Sequence, residues 1–329
     1  MSLRLLLHRL SLAKAEAELL PTRAEALRAA SFIDGRSDFS CGRPQTLPLA
    51  SFLRHEAAPA PAIRMLFHAG FCGSTLLARL LDWPGAALVL REPNCLADLA
   101  NQKAAADRTA QRLEVFDAAL AGALRHLARP WADGETVVVK PSNWVNNLLP
   151  SLVAAGPLHP LFLVPSRRAF LTAVLRGGPD RVAFTARAAV HLSSASDEAA
   201  RLLAAALGAD QDQRTSLARI AVTTHEIQRR QFAAAAAQGG WGEDHMLDQA
   251  ELAADPEAAS RKAAAALDLN LPPHAIRANV AAWAGRHAKA PASAYSRATE
   301  KEIGAAIEAE HGATIERALE WAEATFGVA

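Results

Sequence analysis

Several residue types are scarce in this 329-residue chain, and each scarcity removes a class of protein. Only three cysteines occur, Cys41, Cys72 and Cys95, and no two form a CxxC pair. An odd count in a chain of this length argues against a disulfide framework or a zinc site and predicts a reducing compartment. Lysine is confined to Lys14, Lys103, Lys140, Lys262, Lys289 and Lys301, so each one draws scrutiny. Neither charge is in excess: 35 basic side chains face 34 acidic ones, for a formal charge of +1. Nucleic-acid and anionic-membrane binders need a concentrated positive field, so neither partner is expected. No apolar run approaches the ~18 residues of a membrane span. The opening stretch Met1–Arg9 is broken by His8 and Arg9 and is too short for a secretory leader. A cytoplasmic protein is therefore expected.

What is abundant is apolar: hydrophobic residues make up 51% of the chain. A chain of this size buries roughly three-quarters of its unfolded surface, so a large core is expected and disorder is not. Residues 1–60 read as a helical N-terminal extension rich in Ala, Leu and Arg, with a stiff connector at Ala57–Pro61. Residues 61–329 read as a single α/β domain. Its candidate strands are the apolar runs 63–68, 86–90, 135–139 and 160–164, which lack the polar alternation of a one-sided sheet. Continuous apolar strands alternating with helices predict a central parallel sheet covered on both faces. From about residue 195 the pattern is helical, with a start signal at Asp255-Pro256.

Chemistry concentrates where these strands end. The first runs into Gly70-Phe71-Cys72-Gly73-Ser74-Thr75 and then a helix whose apolar face is Leu76, Leu77, Leu80 and Leu81. A glycine turn feeding a helix start offers free backbone N–H groups and the positive end of the helix dipole, an arrangement that binds phosphate or sulfate. The loop lacks the lysine and the spacing of a Walker A motif. His68 precedes it, and Cys72 sits where a helix N-terminus lowers a thiol pKa. The other strand ends carry Arg91-Glu92, Lys140 with Ser142 and Asn143, and Ser166 with Arg167 and Arg168. Ligands of open α/β sheets sit at the carboxyl ends of strands. Arg91, Lys140, Arg167 and Arg168 would face the loop there, so an anionic ligand is expected.

The ordered set of motifs resembles the bacterial branch of the sulfotransferase family. Phe67–Leu77 is similar to that family's nucleotide-binding loop. Arg91-Glu92-Pro93, Lys140-Pro141 and Arg168–Arg176 follow in the family's order, as do Glu251–Glu257, His287-Ala-Lys289 and Tyr295-Ser296. The resemblance spans about residues 63–300. It implies a three-layer P-loop-type fold and metal-free transfer of a sulfuryl group from 3′-phosphoadenosine 5′-phosphosulfate (PAPS) to a small-molecule or cell-envelope acceptor. By that resemblance Gly70, Phe71, Cys72, Gly73, Ser74, Thr75, Ser166, Arg167, Arg168 and Lys289 hold the nucleotide. Glu92 and Lys140 are the catalytic pair, with Glu92 as base and Lys140 stabilising charge. His68, Arg91, Ser142 and Asn143 meet the acceptor. The departures are specific. Phe71 stands where the family carries a cation, Pro165 and Ala173 where it grips the 3′-phosphate, and Ser142 where many members have a catalytic histidine.

Two other readings follow from the same residues. One is a catalytically decayed binding protein that keeps only anion or nucleotide binding, and the other a P-loop small-molecule kinase. The acceptor and any homo-oligomeric state are not encoded in these motifs.

Overall fold

A computed structural model describes residues 3–56, 62–111, 113–208 and 212–327. The connector expected at 57–61 lies outside the described residues.

The N-terminal segment corrects the helical expectation. It forms an antiparallel sheet of β1 (Arg4–Ser11), β2 (Glu16–Thr22) and β3 (Gln45–Pro48), with two short helices, α1 (Ala24–Ala29) and α2 (Leu49–His55). The composition favours helix by only tenths of a kcal/mol per residue. Burying Leu6, Leu7, Leu10, Ala17 and Leu20 in the main core outweighs that preference, because each large side chain contributes about 1.5–3 kcal/mol.

The rest is an α/β layer structure. Its strands are β4 (Ile63–His68), β5 (Ala87–Arg91), β6 (Thr136–Lys140), β7 (Leu158–Val164) and β8 (Met246–Asp248). They form one parallel sheet in the order β5-β6-β4-β7-β8. The four strands read from the sequence are present within a few residues, whereas β8, only three residues long, is missed. Strand residues alternate between two cores, as a period of two requires. Met65, Phe67, Leu88, Leu90, Val137, Val139 and Phe162 face one core, and Leu66, Val89, Val138, Leu161 and Leu163 face the other.

Helices cover both faces. Between β4 and β5 runs α3 (Ser74–Leu81); between β5 and β6 lie α4 (Asn94–Arg108) and α5 (Phe116–Leu127); α6 (Leu149–Ala154) precedes β7. Then come α7 (Arg167–Arg176), α8 (Gly178–Ser193), α9 (Asp197–Ala206) and the 27-residue α10 (Gln213–Gly239). After β8 follow α11 (Gln249–Ala254), α12 (Pro256–Ala266) and α13 (Pro273–Trp283). A small hairpin, β9 (Arg286–His287) with β10 (Ala290–Ala294), leads into the 30-residue α14 (Arg297–Phe326). The expected cap at Asp255 is present: its carboxylate accepts from the N–H groups of Glu257 and Ala258. Among the described residues, no helix is long and apolar enough to cross a membrane.

The first core is keyed by aromatic stacking at the sheet centre. Phe162 is fully buried, with ring centroids 5.5 Å from Phe67 and 5.1 Å from Phe232. Phe162→Ala is expected to lower the unfolding free energy by about 3–5 kcal/mol in urea titrations, because the rigid sheet cannot collapse into the cavity.

Candidate functional site

A cavity of about 1440 Å³ opens at the carboxyl ends of the central strands. Its floor is the loop after β4. Gly70 (φ 88°), Phe71 (φ 55°) and Gly73 (φ 80°) are all left-handed, so the chain doubles back and turns straight into α3. Gly73 caps α3 and has no side chain to satisfy the amide donors of the first turn. Close packing also calls for the glycines: a Cβ on Gly70 would sit 3.0 Å from the Asn143 amide nitrogen, and one on Gly73 3.3 Å from Leu252. A bulky residue with positive φ is strained, and Phe71 is held there by its ring contacts with Phe170 and Phe184.

Beneath the loop lies a buried polar cluster. Lys140, at the end of β6, has no exposed surface, and its Nζ donates to Glu92 Oε1 at 2.8 Å. Glu92 follows β5 with φ 61°, which folds its carboxylate back over the lysine. Its second oxygen accepts from Arg36 at 2.7 Å, and Arg36 stacks on Phe32. Burial alone would push the Glu92 carboxyl up, but Lys140 above all, with Arg36 adding, holds it at about 2. His68 accepts the Gly70 N–H on Nδ1 at 3.1 Å, which leaves the proton on Nε2, 3.1 Å from the Pro141 carbonyl. Lys140 Nζ lies 3.0 Å from that same Nε2, a contact between two donors in this tautomer and not a hydrogen bond. Burial and then the Lys140 charge hold His68 well below its ordinary value, hence neutral. Three adjacent strand ends are thereby tied to one another and to the loop.

The expected site residues divide three ways. His68, Gly70 to Thr75, Glu92, Ser142, Asn143, Ser166, Arg168 and Lys289 all line the cavity. Lys140 lies under its floor. Arg91 and Arg167 do not face it, which corrects the expectation for both. Arg91 is fully buried, with Nη1 2.9 Å from Asp82 and its other nitrogens donating to the carbonyls of Leu27, Arg28 and Ala30. It anchors the N-terminal extension to the sheet. Arg167 turns back to Glu226 on α10, at 3.2 Å.

Two chemical expectations change as well. Glu92, held near 2 and ion-paired to both Lys140 and Arg36, is a poor general base as placed. Burial pushes the Cys72 thiol up rather than down, and its Sγ contacts the Leu163 carbonyl, so it is not a poised nucleophile. The Thr224-His225-Glu226 segment of α10 is buried. Burial would raise Glu226, but Arg229, Arg230 and Arg167 outweigh it and hold the carboxyl at about 2.

Other features escaped the sequence reading. The loop around Phe32–Arg36 reaches the cavity from the N-terminal segment. Helix α14 brings Glu300 to Arg176, and Glu308 and Glu316 to Arg168. Arg36, Arg168 and Arg176 are thus paired with carboxylates. Arg181, Arg286 and Lys289 are the cavity cations with no carboxylate within ion-pair distance among the described residues. Burial first and then Lys140's charge lower the Lys289 pKa, with Arg181 adding to the effect and Glu92 opposing it. Trp144 and Phe184 form an aromatic wall, and His191 stacks on Trp144 at 4.0 Å. Among the described residues, no group of His, Cys, Asp and Glu is arranged to hold a metal ion.

Glu92→Gln leaves the buried Lys140 charge without its carboxylate and is expected to cost about 3–5 kcal/mol at pH 7. A carboxyl lowered in the folded state stabilises above its unfolded value of 4.5 and loses that contribution as pH falls through about 2. The gap between wild type and Glu92→Gln should therefore narrow between pH 4.5 and 2, as urea unfolding at pH 7 and pH 3 will read.

No protein-family model matches the chain, and no curated protein sequence is significantly similar to it.

Proposed function

We propose that this chain is a sulfotransferase-like protein of P-loop type that binds an anionic adenine nucleotide, PAPS or its desulfated product, in the cavity at the strand ends. One observation carries the reading: the left-handed Gly70–Gly73 loop delivers an uncapped helix start into a cavity that holds cations without carboxylate partners. The strand order supports it. Counted within the central sheet, the first strand β4 lies in the middle and the order is 2-3-1-4-5, with the loop after strand 1. Ligands of open α/β sheets gather at that switch point.

The residues fit the group unevenly. The loop suits a sulfate or phosphate oxygen cluster, because it opens a helix whose first-turn residues Ser74 and Thr75 line the cavity. Pro165 and Ala173 offer a second phosphate no side-chain donor and Arg168 is already held by Glu308 and Glu316, which leaves Ser166 on that strand end. When bound, PAPS would supply an activated sulfuryl group. This chain's contribution is to fix the anion against the loop and to keep the floor rigid through Lys140, Glu92 and His68. In this reading Glu92, ion-paired to Lys140 and Arg36, is not the base.

A second reading has its own support. Lys140 is sealed beneath the floor and paired, and the loop carries Phe71 instead of a cation, which suits a protein that binds the anion and transfers nothing. Thermal-shift titration with PAPS and with 3′-phosphoadenosine 5′-phosphate, against ATP with magnesium as control, tests binding. Both adenosine phosphates should raise the melting temperature at millimolar concentration, and no shift with either would sink the proposal. Release of the desulfated nucleotide from PAPS in the presence of an acceptor mixture separates the enzyme from the binding protein.

A further inference from the structure

We infer that Arg181, on α8, is the residue that grips the sulfate or phosphate group at the Gly70–Thr75 loop. This rests on the loop being an anion site. Arg181 is distant in sequence from the loop, but its guanidinium lies over the Phe71 ring, 4.8 Å from the centroid. Stacking fixes a guanidinium by its face and leaves its edge donors available, whereas a carboxylate would neutralise it. Among the described residues the only hydrogen-bond acceptor it meets is the Ala173 carbonyl, through Nη1. Of the five N–H donors of an arginine, most therefore remain for a ligand. Arg181 is half-buried on the cavity wall. Its pKa is lowered, by burial first and then by Arg176, as expected for a cation held in place without a counter-ion.

The chain is built to put Arg181 there. Gly177 alone separates α7 from Gly178, the first residue of α8. Gly178 has φ 64°, which the sharp turn requires. Gly177 has φ −80°, an angle any residue adopts, so its backbone does not call for glycine. Space does: a Cβ on Gly177 would overlap the Nε, Cβ and Cδ of Arg181. The missing side chain is the slot through which Arg181 folds back onto Phe71. Phe71 in turn holds a strained left-handed φ that presents its ring as the platform. Three residues with separate local reasons converge on one guanidinium at the lip of the loop.

The test is thermal-shift titration of the full chain with inorganic sulfate and with 3′-phosphoadenosine 5′-phosphate. Arg181→Ala should raise the half-saturating concentration of both probes about tenfold or more, the scale of a charged hydrogen-bonding group. Arg181→Lys, which keeps the charge but not the fork, should lose less. Gly177→Ala should reproduce most of the Arg181→Ala loss although it touches no ligand; if it fails to fold, the two Arg181 variants decide. The inference is overturned if Arg181→Ala leaves sulfate saturation unchanged, or if the wild type saturates with neither probe. If sulfate binding depends on Arg181 but the nucleotide binds no more tightly than sulfate, the Arg181 assignment stands and the nucleotide reading falls.

Discussion

The ion pair between Lys140 and Glu92 holds the strand ends in register with the loop above them. Lys140 ends β6, Glu92 follows β5, and His68 ends β4, so one buried cluster spans three neighbouring strands. A pair of this kind seldom adds net stability, because desolvating two charges costs about as much as their attraction returns. What it does is select: a shifted strand end would leave a charge buried without its partner. The neutral His68 passes that constraint upward by accepting the Gly70 N–H, which sets where the loop begins its left-handed turn.

The remaining charges follow a simple division. Arginines that build the fold are neutralised inside it, as Arg91 is by Asp82 and the carbonyls of α1, and Arg167 by Glu226. Those on the α7 face of the cavity, Arg168 and Arg176, are met by carboxylates of α14. Among the described residues, Arg181, Arg286 and Lys289 are the cavity cations left without a carboxylate. A chain with a net charge of +1 can therefore still hold a local positive field.

Much of the central sheet was legible in the sequence because its strands are short apolar runs that end abruptly in polar residues. The loop was legible for the same reason, through Gly70 and Gly73. The N-terminal sheet was not, since Leu6, Leu7 and Leu20 are buried by tertiary packing that overrides a helix-favouring composition. Charge direction was also hidden. Arg91 and Arg168 look alike as strand-end cations, yet one is sealed against α1 and the other lines the cavity. Nothing in their local sequence separates them. Arg181 left a faint trace, the Gly177-Gly178 pair just before it, but its partner Phe71 lies more than a hundred residues away. That pairing is a property of the fold.

The central claim is that the loop after β4 is an anion site completed by a cation from another helix. A crystal structure of the protein soaked with 3′-phosphoadenosine 5′-phosphate tests it most directly. The account predicts a phosphate group against the backbone N–H groups of residues 71–75, with Arg181 donating to it from above the Phe71 ring. Nucleotide density elsewhere in the cavity, with the loop amides facing solvent, would contradict it.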